Sequence, residues 1–432
     1  MKTGNSQGQG GGSSPFNRTA QHDAKRTAIL SQAARLFNSK GSRATTLRDI
    51  AESLGLTKTS LYYYVKTKEE LIYQCYMAAL AHHHAVLDDI ERQHSSALAR
   101  VSAYYLQHFA HWLDATEGRA PHIAVLLEIA GLKGAHREQV EAQYVAIFKR
   151  LRGYITDGIA TGEFRSVEPT LTTLALLGSV DWIFSWLHSI PRDEVMQIGE
   201  QALDLLQSGI SLGTQNAVMQ QPHEAVENRT PLGFNREEQN RQKQEAFFQT
   251  GTWFFNKKGF NGTSLDEIAE RLNVSKGAFY YHIKNKEDLL FHCYIRSLDI
   301  VEDIHRQASA TQENGLQKAS FTCHRTFYAQ NSEEGPLIRY NTITALPLER
   351  RQEILQRTAE SSAHFGAFLT EGIEDGSVRP VNILVAQQLI AGAMNAALEI
   401  DLWRKVDDLD KAAGDYFDLL FNGLLPKEEN LT

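Results

Sequence analysis

The chain has 432 residues, of which 42% are hydrophobic and 22% charged, enough material for two to four domains with buried cores. Its three cysteines, Cys75, Cys293 and Cys323, form no CxxC pair and favour a reducing, cytoplasmic environment. No signal peptide is visible, and the longest apolar run, 173–187, is interrupted by Asp181 and is too short to span a bilayer. The formal net charge of −8, taken alone, argues against a nucleic-acid partner.

An internal repeat organises the sequence. Shifting the chain by 218 residues aligns 37–76 with 255–294 without a gap, and 19 of these 40 positions are identical. A shift of 214 residues aligns the later parts, for example Asp204-Leu205-Leu206 with Asp418-Leu419-Leu420. Unrelated segments would not keep their register over such lengths, so the chain is a duplication of a unit of about two hundred residues.

Positive charge is concentrated near the beginning of each repeat. Residues 18–68 contain ten Lys and Arg against three Asp and Glu, and residues 236–286 contain nine against six. The remainder of the chain therefore carries a net charge of −18. Basic segments on an acidic body indicate that one end of each repeat meets phosphate, although a solvated helix face is the alternative.

In repeat 1, an apolar helical pattern from Ile29 ends at Gly41, and the next pattern begins with a capping box formed by Thr46 and Asp49. That second helix is expected to stop at Gly55, for which repeat 2 has Asn273, the next most tolerant residue of a left-handed backbone.

A third helix follows over 58–65, capped by Thr57, with Leu61 and Val65 expected to pack inward. Such packing turns Lys58, Thr59 and Tyr62 outward together. Two short helices joined by a tight turn predict a helix-turn-helix whose second helix fits the DNA major groove.

The segments 45–71 and 263–289 resemble the DNA-binding signature of the tetracycline-repressor (TetR/AcrR) family. The resemblance implies an all-α fold in which each repeat has a three-helix DNA-binding domain followed by a larger helical ligand-binding and dimerising domain. The fourth helix of each repeat, beginning at Lys68 or Lys286, would link the two. The tandem fusion is a departure, because typical members are single-repeat homodimers.

The resemblance also implies which residues contact DNA. All but one, a glycine, carry hydroxyls, flat rings or positive charge suited to phosphates and base edges. In repeat 1 they are Thr46, Thr57, Lys58, Thr59, Tyr62, Tyr63, Tyr64 and Lys68. In repeat 2 they are Ser264, Ser275, Lys276, Gly277, Tyr280, Tyr281, His282 and Lys286. The two sets differ most at Thr59/Gly277 and Tyr64/His282, which predicts different base preferences.

The domain boundaries follow from the repeat, the composition and the resemblance. A disordered tail is expected at 1–20 and a linker rich in Gln, Asn, Pro and Gly at 213–236. The DNA-binding domains are predicted at 21–68 and 237–286, the helical sensing domains at 69–212 and 287–425, and a second tail at 426–432.

The sensing domains are rich in aromatic residues, which either fill helix-bundle cores or line an apolar pocket for an unknown small molecule. The candidate ligand-binding residues are Tyr105, His108, Trp112, Trp182, Trp186, His324, Tyr328, Phe365 and Trp403. The run of three histidines at 82–84 raises the question of a metal site. We expect none, because adjacent helical histidines point in different directions, and we interpret the run as a solvated helix face.

The leading hypothesis is therefore an effector-responsive transcriptional regulator, expected to repress as the family usually does. It would bind a double-stranded operator as an intrachain pair of repeats, and a homodimer stays open. The alternative is a protein in which one helix-turn-helix reads DNA and the other repeat supports dimerisation. No nucleophile motif or phosphate-binding loop is visible, so neither enzymatic activity nor a cofactor is expected. The sequence specifies neither the effector nor the operator.

Overall fold

In a computed structural model, the described residues are 15–126, 129–213, 236–332 and 334–427. These segments are α-helical, with short 3₁₀ turns and one isolated β-bridge between Ser211 and Val378, as the all-α prediction requires. Most of the predicted linker, 214–235, and the terminal residues 1–14 and 428–432 lie outside the described residues. The first helix begins at Pro15, so the part of the predicted tail from 15 to 20 is helical.

Repeat 1 contains eight α-helices within the described part of the chain. They are α1 (Pro15–Ala44), α2 (Leu47–Ser53), α3 (Lys58–Tyr64), α4 (Lys68–Gln93), α5 (Ala97–Thr116), α6 (Gly134–Thr161), α7 (Pro169–Trp186) and α8 (Val195–Ser208). Short 3₁₀ turns lie at Ile129–Gly131, Leu187–Ser189 and Arg192–Glu194.

Repeat 2 follows the same order of helices with one additional short helix, Ile400–Trp403, within the described residues. They are α9 (Arg236–Gly262), α10 (Leu265–Arg271), α11 (Lys276–His282), α12 (Lys286–Ser309), α13 (Gly315–Asn331), α14 (Leu348–Asp375), α15 (Ile383–Ala396), α16 (Ile400–Trp403) and α17 (Leu409–Asn422). Its 3₁₀ turns lie at Tyr340–Ala345 and Ala397–Glu399.

Helices α7 and α15 form the main contact between the repeats. They cross where Gly178 faces Gly392, because a methyl group at Gly178 would lie 2.5 Å from the Cβ of Ala396 and 2.9 Å from the carbonyl oxygen of Gly392. The absence of side chains thus lets the two backbones approach closely. Helix α7 is long and apolar enough to cross a membrane by length and composition, but 72% of its apolar window is buried inside the protein. We therefore interpret it as a core helix.

The ends of α8 and α17 bind each other through contacts that occur twice, with the roles of the repeats exchanged. The amide of Ile210 donates to the carbonyl of Leu420 at 3.1 Å, and the amide of Leu424 donates to that of Leu206 at 3.0 Å. Two ion pairs repeat the pattern, Arg165 with Asp418 and Arg379 with Asp204, both at 2.6 Å. Residues in these pairs are related by the shift of 214, which is the pattern of an isologous interface.

Candidate nucleic-acid interface and internal cavities

The first helix-turn-helix forms where the sequence predicts it. The hydroxyl of Thr46 accepts from the amide of Asp49 at 3.1 Å, and the Asp49 carboxylate accepts from the Thr46 amide at 2.7 Å, which completes the predicted capping box. Gly55 ends the turn with a φ of 63°, and Asn273 takes a φ of 53° at the same place in repeat 2. Leu61 and Val65 are buried, so α3 is held against α2 by its apolar side.

The outer face of α3 is open to solvent. Lys58 and Thr59 are exposed, and the ring of Tyr63 is 71% exposed, whereas Tyr62 and Tyr64 are half-buried. Thr57 caps the helix by accepting from the amide of Ser60 at 3.2 Å. An exposed phenol and a lysine on one short helix can reach base edges and phosphates in a major groove.

The corresponding helix of repeat 2, α11, presents a similar face with less free positive charge. Tyr281 is 84% exposed and Tyr280 is 46% exposed. The ammonium of Lys276, however, forms an ion pair with Asp266 at 2.7 Å. The equivalent of Asp266 in repeat 1 is Arg48, so the two heads differ in charge as well as in shape.

Lys68 and Lys286 lie at the base of each head and do not point freely into solvent. The ammonium of Lys68 donates to the carbonyl of Arg43 at 3.2 Å. The ammonium of Lys286 donates to the carbonyls of Phe260 and Thr263 at 2.9 and 2.8 Å, and burial lowers its pKa. These lysines hold the linking helices against the first helix of each head, a role that their predicted contact with phosphate did not include.

The first head also touches repeat 2. The guanidinium of Arg43 donates to the carbonyl of Ala345 at 3.1 Å and forms an ion pair with Glu287 at 3.1 Å. A methyl group at Gly41 would lie 2.6 Å from the hydroxyl of Thr344, in the 3₁₀ turn of repeat 2. A movement of this turn would therefore act on the first head through these contacts.

A cleft of about 720 Å³ opens in repeat 2, within the size range of small-molecule sites. Its walls come from α12, α13, α14 and α15, and from α7 of repeat 1 through Trp182 and Trp186. The indole nitrogen of Trp182 donates to the side-chain oxygen of Gln388 at 3.0 Å, which joins the two repeats at the wall. None of the described residues that line this cleft is Asp, Glu, Lys or Arg.

A smaller cavity of about 520 Å³ lies mainly between α6 and α7 of repeat 1. Repeat 2 contributes Arg339, Gly392, Asn395, Ala396 and Trp403 to its walls. The cavity is charged, since Arg137, Glu141, Lys149, Arg152 and Asp181 also line it. The ring of Trp403 stacks on that of Phe148 with centroids 4.0 Å apart.

The carboxylate of Asp181 accepts from the hydroxyl of Tyr144 at 3.1 Å. This carboxyl is buried, and its desolvation raises the pKa of Asp181 to about 7.

Four of the candidate ligand-binding residues line one of these two cavities, namely Trp182, Trp186, Phe365 and Trp403. The other five, Tyr105, His108, Trp112, His324 and Tyr328, line neither. Tyr105 and His108 are core residues, as the alternative interpretation of the aromatics had it. The sequence analysis missed the smaller residues of α14 and α15 that line the repeat 2 cleft. The shift of 214 could have revealed them, because it pairs a bulky residue of repeat 1, Phe148, with a small one of repeat 2, Ser362.

The histidines of repeat 1 correct a sequence expectation. They do not form a solvated helix face, because His83, His108 and His111 are buried. The Nδ1 of His83 lies 3.4 Å from the Nε2 of His108, and the rings of His82 and His111 lie 4.3 Å apart. Helix α4 supplies the first ring of each pair and α5 the second. Among the described residues, no group of three or more His, Cys, Asp or Glu side chains is arranged to hold a metal ion.

This cluster predicts acid sensitivity. Burial lowers the pKa of His82 and His108 to about 4 and that of His83 well below its usual range, so the folded protein keeps these rings neutral. Between pH 6.5 and 4 the unfolded chain therefore binds more protons, and the free energy of unfolding should fall as the pH is lowered. Asp181 opposes this trend, because its raised pKa favours the folded state at low pH.

Urea unfolding at pH 7 and pH 5 measures the balance. We expect a lower midpoint at pH 5, a smaller difference in His82→Gln and a larger one in Asp181→Asn. Equal pH dependence in the three proteins would contradict the assignment of the titrating groups.

Comparisons with known proteins fall on the same segments. The family described as bacterial regulatory proteins of the tetR family matches residues 29–75 and again residues 253–293. A tetracyclin repressor-like C-terminal domain matches residues 98–210. The transcriptional repressor DhaR of Mycobacterium sp. (strain GP1) is 28% identical over 43% of this chain and 93% of its own length.

The comparisons also match two further proteins. The uncharacterised HTH-type transcriptional regulator YfiR of Bacillus subtilis is 28% identical over 36% of this chain and 75% of its own. Among solved structures, AibR in complex with isovaleryl coenzyme A and operator DNA is 26% identical, covers 42% of this chain and 97% of its own, and gives a TM-score of 0.37.

Proposed function

The chain belongs to the TetR family of bacterial regulatory proteins, and on this premise we propose that it is a cytoplasmic transcriptional repressor that binds one operator through two non-identical helix-turn-helix units. A small-molecule effector bound in the helical body releases or retunes it. Members of this family are DNA-binding regulators rather than enzymes.

The observation that carries the proposal is the pair of exposed reading faces. Tyr63 and Tyr281 are the most exposed large hydrophobic side chains of the two heads within the described residues, and each stands on a capped helix that also carries a lysine. Exposed aromatic rings in equivalent positions of a duplicated segment contribute nothing to either core. Contact of both rings with DNA would explain why they are exposed.

The two repeats act, in this proposal, as an intrachain pseudo-dimer. The reciprocal hydrogen bonds of Ile210 and Leu424 and the reciprocal ion pairs of Arg165 and Arg379 support it, because such a pattern is expected of paired subunits. A pseudo-dimer with unequal heads would read an imperfect palindrome, with each half-site matched to one recognition helix.

Effector control is proposed to act through the linking helices. Helix α12 begins at Lys286, directly after the recognition helix of repeat 2, and its residues Tyr294 and Val301 line the cleft. A ligand that fits the cleft only when α12 is displaced would favour a conformation with a different spacing of the heads. Because one turn of DNA demands a spacing of about 34 Å, such a shift lowers operator affinity.

Substitution of the exposed tyrosines tests the proposal. With an operator selected from random DNA, Tyr63→Ala and Tyr281→Ala should each weaken binding about tenfold in a gel-shift titration, because each removes a contact to DNA. Neither variant should change the unfolding midpoint, since both rings are exposed. The matched control is Lys405→Ala, at a side chain that is 90% exposed on the helical body, and it should bind normally.

The outcome also decides between the two hypotheses. If only Tyr63→Ala weakens binding, repeat 2 does not read DNA and serves the pairing alone. If neither does, the DNA-reading assignment is wrong.

A further inference from the structure

The cavities of the two repeats differ in the charge of the residues that line them and in their free volume. Building on the proposed function, we propose that the cleft of repeat 2 is the single effector site of the chain, and that it takes an uncharged, largely apolar molecule carrying a hydroxyl or another hydrogen-bond donor. In repeat 1 the corresponding space is filled by side chains, and the cavity of about 520 Å³ that remains there is lined by charged residues and takes no such molecule.

Four charged lining residues of repeat 1 correspond to uncharged residues in repeat 2, while the fifth, Arg137, corresponds to Arg351, which does not line the cleft. The shift of 214 relates the two cavities, and it pairs Glu141 with Leu355, Lys149 with Ala363, Arg152 with Gly366 and Asp181 with Asn395. The bulky ring of Phe148 is replaced by Ser362, and Tyr144 by Thr358. A charged ligand would lose its hydration in the repeat 2 cleft without gaining an opposite charge, whereas an uncharged one would not.

The size of the side chains at equivalent positions also differs between the two repeats. In repeat 2, Val301 of α12 and Thr322, Cys323 and Thr326 of α13 line the cleft. The shift of 218 also aligns α5 with α13, and the equivalent residues of repeat 1 are His83, Tyr104, Tyr105 and His108. All four are buried, and the Nδ1 of His83 lies 3.4 Å from the Nε2 of His108, so these rings fill the space that repeat 2 leaves open.

The cleft offers a specific polar handle. Gln330 is 8% exposed, and its amide nitrogen donates to the carbonyl of Met394 at 3.1 Å. Its amide oxygen is buried and has no hydrogen-bond partner among the described residues. A buried acceptor without a partner is costly, and a ligand hydroxyl directed at it would remove that cost.

Of these two cavities, as far as the described residues form them, only the repeat 2 cleft touches a linking helix. Tyr294, Ser297 and Val301 of α12 line it, whereas the cavity of repeat 1 is lined by no residue of α4. The hydroxyl of Tyr294 also donates to the carbonyl of Arg339 at 2.8 Å, at the entry to the 3₁₀ turn that contacts the first head. One ligand in this cleft can therefore act on both heads.

Nile red, an uncharged fluorescent dye, probes the cleft in the full-length chain. We expect saturable binding of one dye per chain. Ser362→Phe and Ala359→Trp, which fill the repeat 2 cleft at partly or fully exposed positions, should weaken it about tenfold or more. The matched changes in repeat 1, Phe148→Ser and Val145→Trp, should leave it within about twofold. Thermal unfolding of each variant checks that the fold is intact.

Ligand charge is tested by competition between two molecules of similar shape. Uncharged 2-naphthol should displace the dye at a concentration about a hundredfold lower than the anion 2-naphthoate, because the cleft cannot pair a carboxylate. Gln330→Leu should remove about tenfold of the affinity for 2-naphthol by deleting the acceptor.

Several results would overturn the inference: two dyes per chain, loss of binding in the repeat 1 variants instead, equal competition by naphthoate, or no saturable binding of dye or naphthol. The inference and the proposed function fail separately. Cleft-specific dye binding with no selectable operator would refute the proposed function and leave the ligand site standing. A selected operator without cleft-specific dye binding would refute the inference alone.

Discussion

Raising the salt concentration from about 50 to about 200 mM should weaken operator binding by about three to five orders of magnitude, if the two heads together contact about six to ten phosphates. The expectation follows from the charge distribution. Positive charge lies in residues 18–68 and 236–286, while the remainder of the chain carries a net charge of −18. Binding then depends on the release of counterions from DNA by a few lysines and arginines. The negative charge on the remainder of the chain repels DNA from other parts of the protein surface.

Fluorescence anisotropy of a labelled operator across this salt range gives the slope directly. Lys58→Ala should lower the slope by about one, since it removes one phosphate contact. Lys405→Ala on the helical body should leave the slope unchanged. A flat response to salt would contradict the placement of DNA on the basic heads.

Leucine at position 178 should destabilise the folded chain by about 3 kcal/mol, at the upper end of the usual cost of overpacking. Even a methyl group there would lie 2.5 Å from the Cβ of Ala396 and 2.9 Å from a backbone oxygen, so α7 and α15 must separate to admit a larger side chain. Gly392→Leu should behave alike, because a methyl group at Gly392 would lie 2.6 Å from the Cβ of Trp182.

Gly153→Ala is the matched control for these variants. Gly153 also lies within a helix, and a methyl group there would meet no atom within 4 Å, so alanine should stabilise the chain by about 0.4 to 1 kcal/mol. Urea unfolding measures all three variants. Normal stability of Gly178→Leu and Gly392→Leu would show that this crossing does not hold the repeats together.

Local signals made the heads predictable from the sequence. A capping box at Thr46, a left-handed residue at Gly55 or Asn273 and the inward pair Leu61 and Val65 depend on contacts within a few residues, and each forms as predicted. The roles of Lys68 and Lys286 were less visible, because the carbonyls that they bind lie 25, 26 and 23 residues away along the chain.

The sensing domains were harder to predict because their cavities are formed between helices. Aromatic content alone favoured Tyr105 and Trp112, whereas the larger cleft is open where repeat 2 has small residues such as Ala359 and Ser362. The solvated helix face that the sequence analysis expected for the histidines was wrong for a related reason. Adjacent residues of α4 point in different directions, but a second helix, α5, brings His108 to His83 and His111 to His82.

The central claim is that one chain presents two unequal reading heads to one operator. Selection of binding sites from random DNA, with a mass measurement of the bound complex, tests it most directly. The native chain should select an imperfect palindrome whose half-sites differ, since the heads differ at Thr59/Gly277 and Tyr64/His282. A chain in which residues 57–64 are replaced by the sequence of 275–282 should select a more symmetric site. Selection of a perfectly symmetric site by the native chain would contradict the claim.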